Sequence, residues 1–228
     1  MKRLIDITMT AVIRPEVLRK TLRSFCSNLF YDDKYNYRLI INVDPIGEDK
    51  DPMKVVGVAQ SFFDNVVYNI PKEPSFPKAV MWVWSKISSD MVFHLEDDWI
   101  MLRQISLRNM IDLLEEKEEL ACLNFIRKDL DKKKRISFHG TTYVYKNEYY
   151  VSRKPFGFSL NPTLIKAEFI EQVLPNMVTD DNPEKQIRVT NKKMNGILYD
   201  WEFGIYAKPF QTKTIYGRRT YKWHFLIT

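Results

Sequence analysis

The chain has 228 residues, enough to bury a sizeable core in one domain or in two tightly joined subdomains. Only 7 Gly against 14 Phe, 12 Tyr and 5 Trp excludes a low-complexity or flexible-linker array and suits a globular core with a groove lined by flat side chains. Lys and Arg outnumber Asp and Glu by 35 to 29, a net charge of +6, which admits nucleic acid, an anionic membrane surface or a phosphorylated small molecule without choosing among them.

Cys26 and Cys122, each in an apolar context, cannot build a disulfide framework, so a reducing compartment is the simpler expectation. The basic opening Met1-Lys2-Arg3 is followed by Asp6 before a signal-peptide core is complete. No stretch approaches the roughly 20 apolar residues of a membrane span, and a soluble cytoplasmic protein is expected.

Taken in order, Leu4 to Val12 alternates as a first strand, and Arg14-Pro15-Glu16 opens a helix with Val17, Leu18, Leu22 and Phe25 as its apolar stripe. Residues 38–43 form a continuous apolar run, the mark of a strand buried in a parallel sheet, and end at Asp44-Pro45. A helix is predicted over 52–63, a strand over 65–70, a Trp- and Val-rich helix over 78–87 and a strand over 91–96. The first hundred residues thus read β-α-β-α-β-α-β, a doubly wound half in which ligands bind beyond the carboxyl ends of the strands.

That last strand ends in Glu96-Asp97-Asp98-Trp99. Three consecutive carboxylates repel one another unless a cation or hydrogen-bond donors sit among them, so the segment reads either as a metal site, with Asp98 as ligand, or as an acidic turn after an edge strand.

An amphipathic helix is predicted over 107–120 and a strand over 121–126. The charged stretch 127–135 reads as a solvated loop, and the aromatic stretch 136–151 as a hairpin turning at Lys146-Asn147-Glu148. Phe156 to Pro162 is a glycine-containing bend, 167–173 a helix, and the polar stretch 180–196 a mobile lid or disordered loop. Near the end, Asp200 and Glu202 flank Trp201 at the start of a short helix, and His224 lies among aromatics. Taken singly, each of these has an ordinary structural reading: helix-start acids, and a satisfied core histidine.

The order of these features resembles the GT-A glycosyltransferases, particularly the family 2-like group. The marks are Thr10-Ala11-Val12-Ile13-Arg14-Pro15 after the first strand, Asp44 after the second, Glu96-Asp97-Asp98 where the family has its Asp-x-Asp motif, the Asp200 region where it has a Glu-Asp motif, and a late His224. The resemblance implies an α/β, GT-A-like fold on a Rossmann-like doubly wound sheet: one domain over 1–228, with a nucleotide-sugar-binding half at 1–102 and a smaller mixed acceptor half at 103–228. It implies transfer of a sugar from a nucleotide-diphosphate sugar, UDP-sugars favoured, to a hydroxyl, with inversion.

Mn²⁺ or Mg²⁺ would bridge the diphosphate, held by Asp98 and His224, because negative charge grows there as the sugar bond breaks. Glu96 or Asp97 would face the metal or the ribose. Asp200 would be the base, with Glu202 its substitute, since Tyr199 stands where the family has Glu. Thr10, Arg14, Asp44 and Lys78 would recognise the donor, Asp44 through a uracil N–H or a ribose hydroxyl, and Trp99 and Trp201 are candidates to stack on sugar or base.

The basic charge, the basic 182–196 loop and the expected lack of a membrane anchor suit a nucleic-acid acceptor, and a resemblance to compact GT-A-like bacteriophage enzymes implies hydroxylated pyrimidines in DNA. Polysaccharide, lipid-linked or protein acceptors are the alternative, and a non-catalytic nucleotide or nucleic-acid binding module is the reading from another class. A nucleotidyltransferase would need a Gly-rich phosphate loop near the N-terminus, which the sequence lacks.

Overall fold

The computed structural model describes residues 2–125, 137–138, 141–152, 158–187, 191–208 and 211–215. The elements follow as β1 (Arg3–Ile13), α1 (Pro15–Asn28), β2 (Tyr35–Gly47), α2 (Met53–Gln60), β3 (Asn65–Asn69), α3 (Phe76–Trp84), β4 (Met91–Glu96) and β5 (Trp99–Met101). Beyond them lie α4 (Leu107–Glu116), β6 (Leu120–Asn124), β7 (Ser137–Phe138), β8 (Thr141–Lys146), β9 (Tyr149–Ser152), β10 (Thr163–Lys166), α5 (Ala167–Val173), α6 (Pro183–Lys185), α7 (Asn195–Tyr199), β11 (Glu202–Tyr206) and β12 (Thr212–Thr214).

One mixed sheet runs β3-β2-β1-β4-β10-β6-β11-β9-β8-β7, and β5 pairs with β12 in a small second sheet. Strands β3, β2, β1 and β4 are mutually parallel, as the alternation of strands and helices requires. The sheet is buried on both faces, and the two faces of β1 differ in chemistry. Ile5, Ile7, Met9, Ala11 and Ile13 join the larger core with Leu18, Leu22 and Phe25 of α1, whereas Asp6, Thr8 and Thr10 put polar groups on the other face.

Several boundaries differ from the sequence reading for local reasons. Strand β2 does not end at Asp44 but continues to Gly47, where its pairing with β1 shifts register opposite Ile13. Gly47 has φ of +151°, and a Cβ there would sit 2.4 Å from the Ile13 carbonyl oxygen, so only glycine fits. Helix α3 starts two residues early because Ser75 caps it, its Oγ accepting from Lys78 N, and Pro77 suits the first turn. Helix α4 stops at Glu116, where Lys117 turns to extended dihedrals. The hairpin β8–β9 turns as expected, with Asn147 at φ 52°, a conformation that Asn tolerates.

Strands β5, β10 and β12 were not predicted, and β11 stands where a short helix was expected; the most consequential is β10, four residues inserted antiparallel between β4 and β6, too short to carry a periodic signal. The stretch 180–196 is not a disordered lid among its described residues. Pro183, Gln186, Ile187 and Met194 are buried, and Gln186 ties the segment together, accepting from Val178 N at 2.8 Å and donating to the Val178 and Asp181 carbonyls at 2.8 and 2.7 Å. The charged stretch 127–135, with Phe156, Gly157 and His224, lies outside the described residues.

Candidate active site

The carboxyl ends of the parallel strands carry a row of polar side chains. Register aligns Asn69 of β3 with Asn42 of β2, Asn42 with Thr10 of β1, and Thr10 with Glu96 of β4. One step below, Thr8, His94, Thr163 and Asn124 align from β1 through β4 and β10 to β6. Parallel strands that finish together bring these groups to one edge of the sheet, with Asp44 on one side of β1 and the acidic turn on the other. His94 is wholly buried, with Nδ1 3.0 Å from Thr8 Oγ1, and burial pushes its pKa down to about 3, so it is neutral.

The three acids of the turn divide sharply. Asp97 is buried, and Arg14 grips it with Nη2 2.5 Å from Oδ1 and Nε 3.3 Å from Oδ2, while Val12 N donates to Oδ2 at 3.2 Å. Burial pushes Asp97 up to about 6, Arg14 pulls it down and Asp98 pushes it up again. Glu96 is buried and accepts from Trp99 Nε1 at 3.1 Å. Asp98 is the outward-facing member, its side chain 17% exposed, and its Oδ2 lies 3.7 Å from the same Arg14 Nη2. Thr21 Oγ1 donates to the Asp97 carbonyl at 2.6 Å, and Ile215 N donates to that of Asp98 at 2.8 Å, so α1 and the end of the described chain both brace the turn.

A metal is implied by the resemblance, and the partners of these acids decide which could hold one. Asp97 and Glu96 are engaged by the protein. Asp98 suits the mode in which one carboxylate and the substrate's own phosphates hold a hard divalent cation. Among the described residues no three His, Cys, Asp or Glu side chains converge as a complete cage.

The donor-site expectations are narrowed by burial. Thr10, Arg14, Asp44, Glu96 and Asp97 are all buried, and of the residues expected to meet the donor or metal on this edge only Asp98 and Lys78 face outward among the described residues. Asp44 accepts from Asn42 Nδ2 at 2.8 Å and from Ser75 N at 3.0 Å, and burial pushes it up to about 6. The carboxylate of Asp44, expected to meet base or ribose, accepts one bond at each oxygen in holding Asn42 and the start of α3. Trp99 and Trp201 are core residues, 1% and 8% exposed, and Trp201 Nε1 donates to Gln172 Oε1 at 2.9 Å.

The structure does not bring Asp200 and Glu202 to this edge. Asp200 is an exposed cap at the end, not the start, of α7, and Glu202 opens β11 opposite Leu120, with Oε2 3.2 Å from Lys146 Nζ. Since Asn124, Thr163 and His94 share a level, Glu202 lies about six residues, or roughly 20 Å, from Glu96 along the strand direction. A base must come within hydrogen-bond reach of the hydroxyl it deprotonates, and at this separation Glu202 does not share an edge with the acidic turn.

A different acid is held on the same edge as the acidic turn. Glu184 of α6 accepts from Leu160 N at 2.8 Å and Ser159 Oγ at 3.0 Å. Residues 159–162 lead into the amino end of β10, which is antiparallel to β4 and so lies at the carboxyl edge, and Asn124 Nδ2 fixes them through the Ser159 carbonyl at 2.9 Å. Helix α6 also packs beside α3. The sequence signal was there in Asn182-Pro183-Glu184, a capping residue, a Pro and an acid that open a helix, but β10 was needed to say which edge it occupies.

No family model matches the chain, and no curated protein matches it in sequence. Solved structures do. S. aureus TarS aligns with 91% of this chain and 36% of its own at 12% identity and a TM-score of 0.57. GalNAc-T7 with UDP, GalNAc and Mn²⁺ aligns with 88% of this chain and 41% of its own, at 10% identity and TM-score 0.59. The mannosyltransferase PcManGT from Pyrobaculum calidifontis, in complex with GDP-Man and Mn²⁺, aligns with 74% and 46%, at 13% identity and TM-score 0.53. This chain therefore spans less than half the length of these proteins, and what it shares with them is the GT-A fold of glycosyltransferases. No helix among the described residues is long and apolar enough to cross a membrane.

Proposed function

We propose that the chain is a metal-dependent glycosyltransferase that moves a sugar from a nucleotide-diphosphate sugar, UDP-sugars favoured, to an acceptor hydroxyl. The observation that carries the reading is Asp98, an outward-facing carboxylate at the carboxyl edge of a GT-A sheet, set on a buried Arg14–Asp97 ion pair. GT-A neighbours that hold Mn²⁺ with UDP or GDP-Man support it. On this reading Asp98 holds Mn²⁺ or Mg²⁺ and Lys78 meets a phosphate. His224 adds a ligand, a role that rests on the resemblance to family members with a late metal-binding histidine. A bound cation would supply charge to stabilise the departing diphosphate.

Glu184 is the carboxylate best supported as the base for the acceptor hydroxyl. Its Oε1 is held by two donors from the segment that enters β10 at the carboxyl edge. A base acting directly on the attacking hydroxyl gives inversion at the anomeric carbon. For the acceptor, the net charge of +6 favours a hydroxyl carried on a polyanion, with hydroxylated pyrimidines of DNA the first choice.

The test is a screen for Mn²⁺-dependent nucleoside-diphosphate release across nucleotide sugars, with hydroxymethylated DNA and simple saccharides as acceptors. Turnover on DNA that falls steeply with salt is expected. Salt-independent turnover on free saccharides without retention on DNA overturns the acceptor, and no release with any donor overturns the reading.

A further inference from the structure

Three side chains, Asn69 on β3 opposite Asn42 on β2 and Asp44 two residues further along β2, make a one-way chain of hydrogen bonds that the chemistry of the acidic turn does not use. Asn69 Nδ2 donates to Asn42 Oδ1 at 2.7 Å, Asn42 Nδ2 donates to Asp44 Oδ1 at 2.8 Å, and Asp44 Oδ2 accepts from Ser75 N at 3.0 Å. An ionised carboxylate only accepts, so Asn42 must present its amide nitrogen to Asp44 and its oxygen to Asn69. The direction of the whole chain is fixed from its acidic end.

Asn42 and Asp44 are each 1% exposed, so the bond between them does not compete with water, while the bonds to Asn69 and Ser75 are part-buried. The far end is Ser75, the cap of α3, which uses its backbone N–H on Asp44 and its hydroxyl on Lys78 N. One residue is thus clasped to the sheet on one side and starts a nine-residue helix on the other. Lys78 stands exposed in the first turn of that helix, and its position follows from Ser75.

We propose that Asn69, Asn42 and Asp44 act as one positioning unit that sets the amino end of α3, and with it Lys78, against the diphosphate of the donor. The inference rests on the donor reading above. It assigns Asp44 an indirect part in donor binding and extends the binding apparatus to Asn69, on the edge strand of the sheet, which no motif would select. The unit acts on the phosphates, not on the base, because its output is the placement of a cation.

The test is a double-mutant cycle between Asn69→Ala and Lys78→Ala, read as affinity for UDP and for inorganic pyrophosphate in the presence of Mn²⁺, and as KM and kcat for the donor. Each single change is expected to weaken both ligands roughly fivefold, the worth of one net hydrogen bond, with the loss in KM and not in kcat. The double variant is expected to lose little more than either single one. Asn69→Asp, isosteric and unable to donate, repeats the test without loss of volume should the alanine variant not fold. Unaltered affinity in the Asn69 variants, fully multiplying losses, or a loss for UDP with none for pyrophosphate overturns the unit while leaving the donor reading standing. A wild-type chain that binds no nucleoside diphosphate overturns both.

Discussion

Arg14 and Asp97 form a two-pronged ion pair beneath the acidic turn, and the same guanidinium stands 3.7 Å from Asp98. Both partners of the pair are under a tenth exposed, so removing either takes a two-pronged partner from a buried charge. Arg14→Ala and Asp97→Ala are each expected to cost about 3–5 kcal/mol of folding stability in urea unfolding. Asp98→Ala removes no buried partner and should change stability by roughly 0.5 kcal/mol or less while abolishing metal-dependent turnover. Retained turnover in Asp98→Ala rejects the metal assignment.

A second prediction concerns pH. Burial raises Asp44 from its ordinary 3.8 to about 6, so the folded chain binds this proton more tightly than the unfolded one does. Stability from that group is full below the unfolded value and is lost as pH rises through about 6. Asn in its place does not titrate. The stability of Asp44→Asn minus that of the wild type should therefore climb between pH 3.8 and pH 6, by on the order of 1–2 kcal/mol. Asp97 loads both proteins alike in the same window and cancels from the difference. A flat difference by denaturant titration at each pH, or an Asp44 carboxyl resonance titrating near 3.8, contradicts the burial argument.

How far the sequence carried can be seen in particular residues. Strand β4 was legible to the residue, because a continuous apolar run ending in acids has few other uses, and Pro15 and Glu16 marked α1 for similar reasons. What sequence patterns omit is the third dimension of polar groups. Asp44, Glu96 and Asp97 looked like ligands because carboxylates rarely sit inside proteins, yet each is engaged by partners supplied from Asn42 and Ser75, from Trp99, or from Arg14 and Val12. The acceptor half was less legible for another reason: β10 is short and antiparallel, and without it the edge at which Glu184 or Glu202 lies cannot be read.

Gly47 offers a test of the edge's geometry. At its φ of +151°, a methyl group in place of the hydrogen would come within 2.4 Å of the Ile13 carbonyl oxygen, which leaves no room for a side chain. That carbonyl also accepts from Glu48 N and Asp49 N at 2.9 and 3.1 Å, so it cannot swing away without breaking both. Gly47→Ala should cost about 1–3 kcal/mol, the usual penalty for forcing an L-residue into such a conformation, and thermal unfolding measures it. An unchanged midpoint would show that the loop after Asp44 relaxes independently of β1.

The sharpest contrast lies among the acids of the acceptor half. Glu184 is anchored by Ser159 and Leu160 at the carboxyl edge, whereas Glu202 is tied to Lys146 about 20 Å away along the strands. If Glu184 takes the acceptor proton, Glu184→Gln keeps the size and the Leu160 N–H bond through its amide oxygen but cannot accept a proton. It should lower kcat by roughly a hundredfold or more with donor affinity little changed. Asp200→Asn and Glu202→Gln should leave kcat within about twofold, Glu202 losing only a partly exposed ion pair. The comparison is made under saturating donor with nucleoside-diphosphate release as readout. A collapse of kcat in Asp200→Asn with normal turnover in Glu184→Gln would return the base to the opposite edge, and would require the acceptor half to close across the sheet.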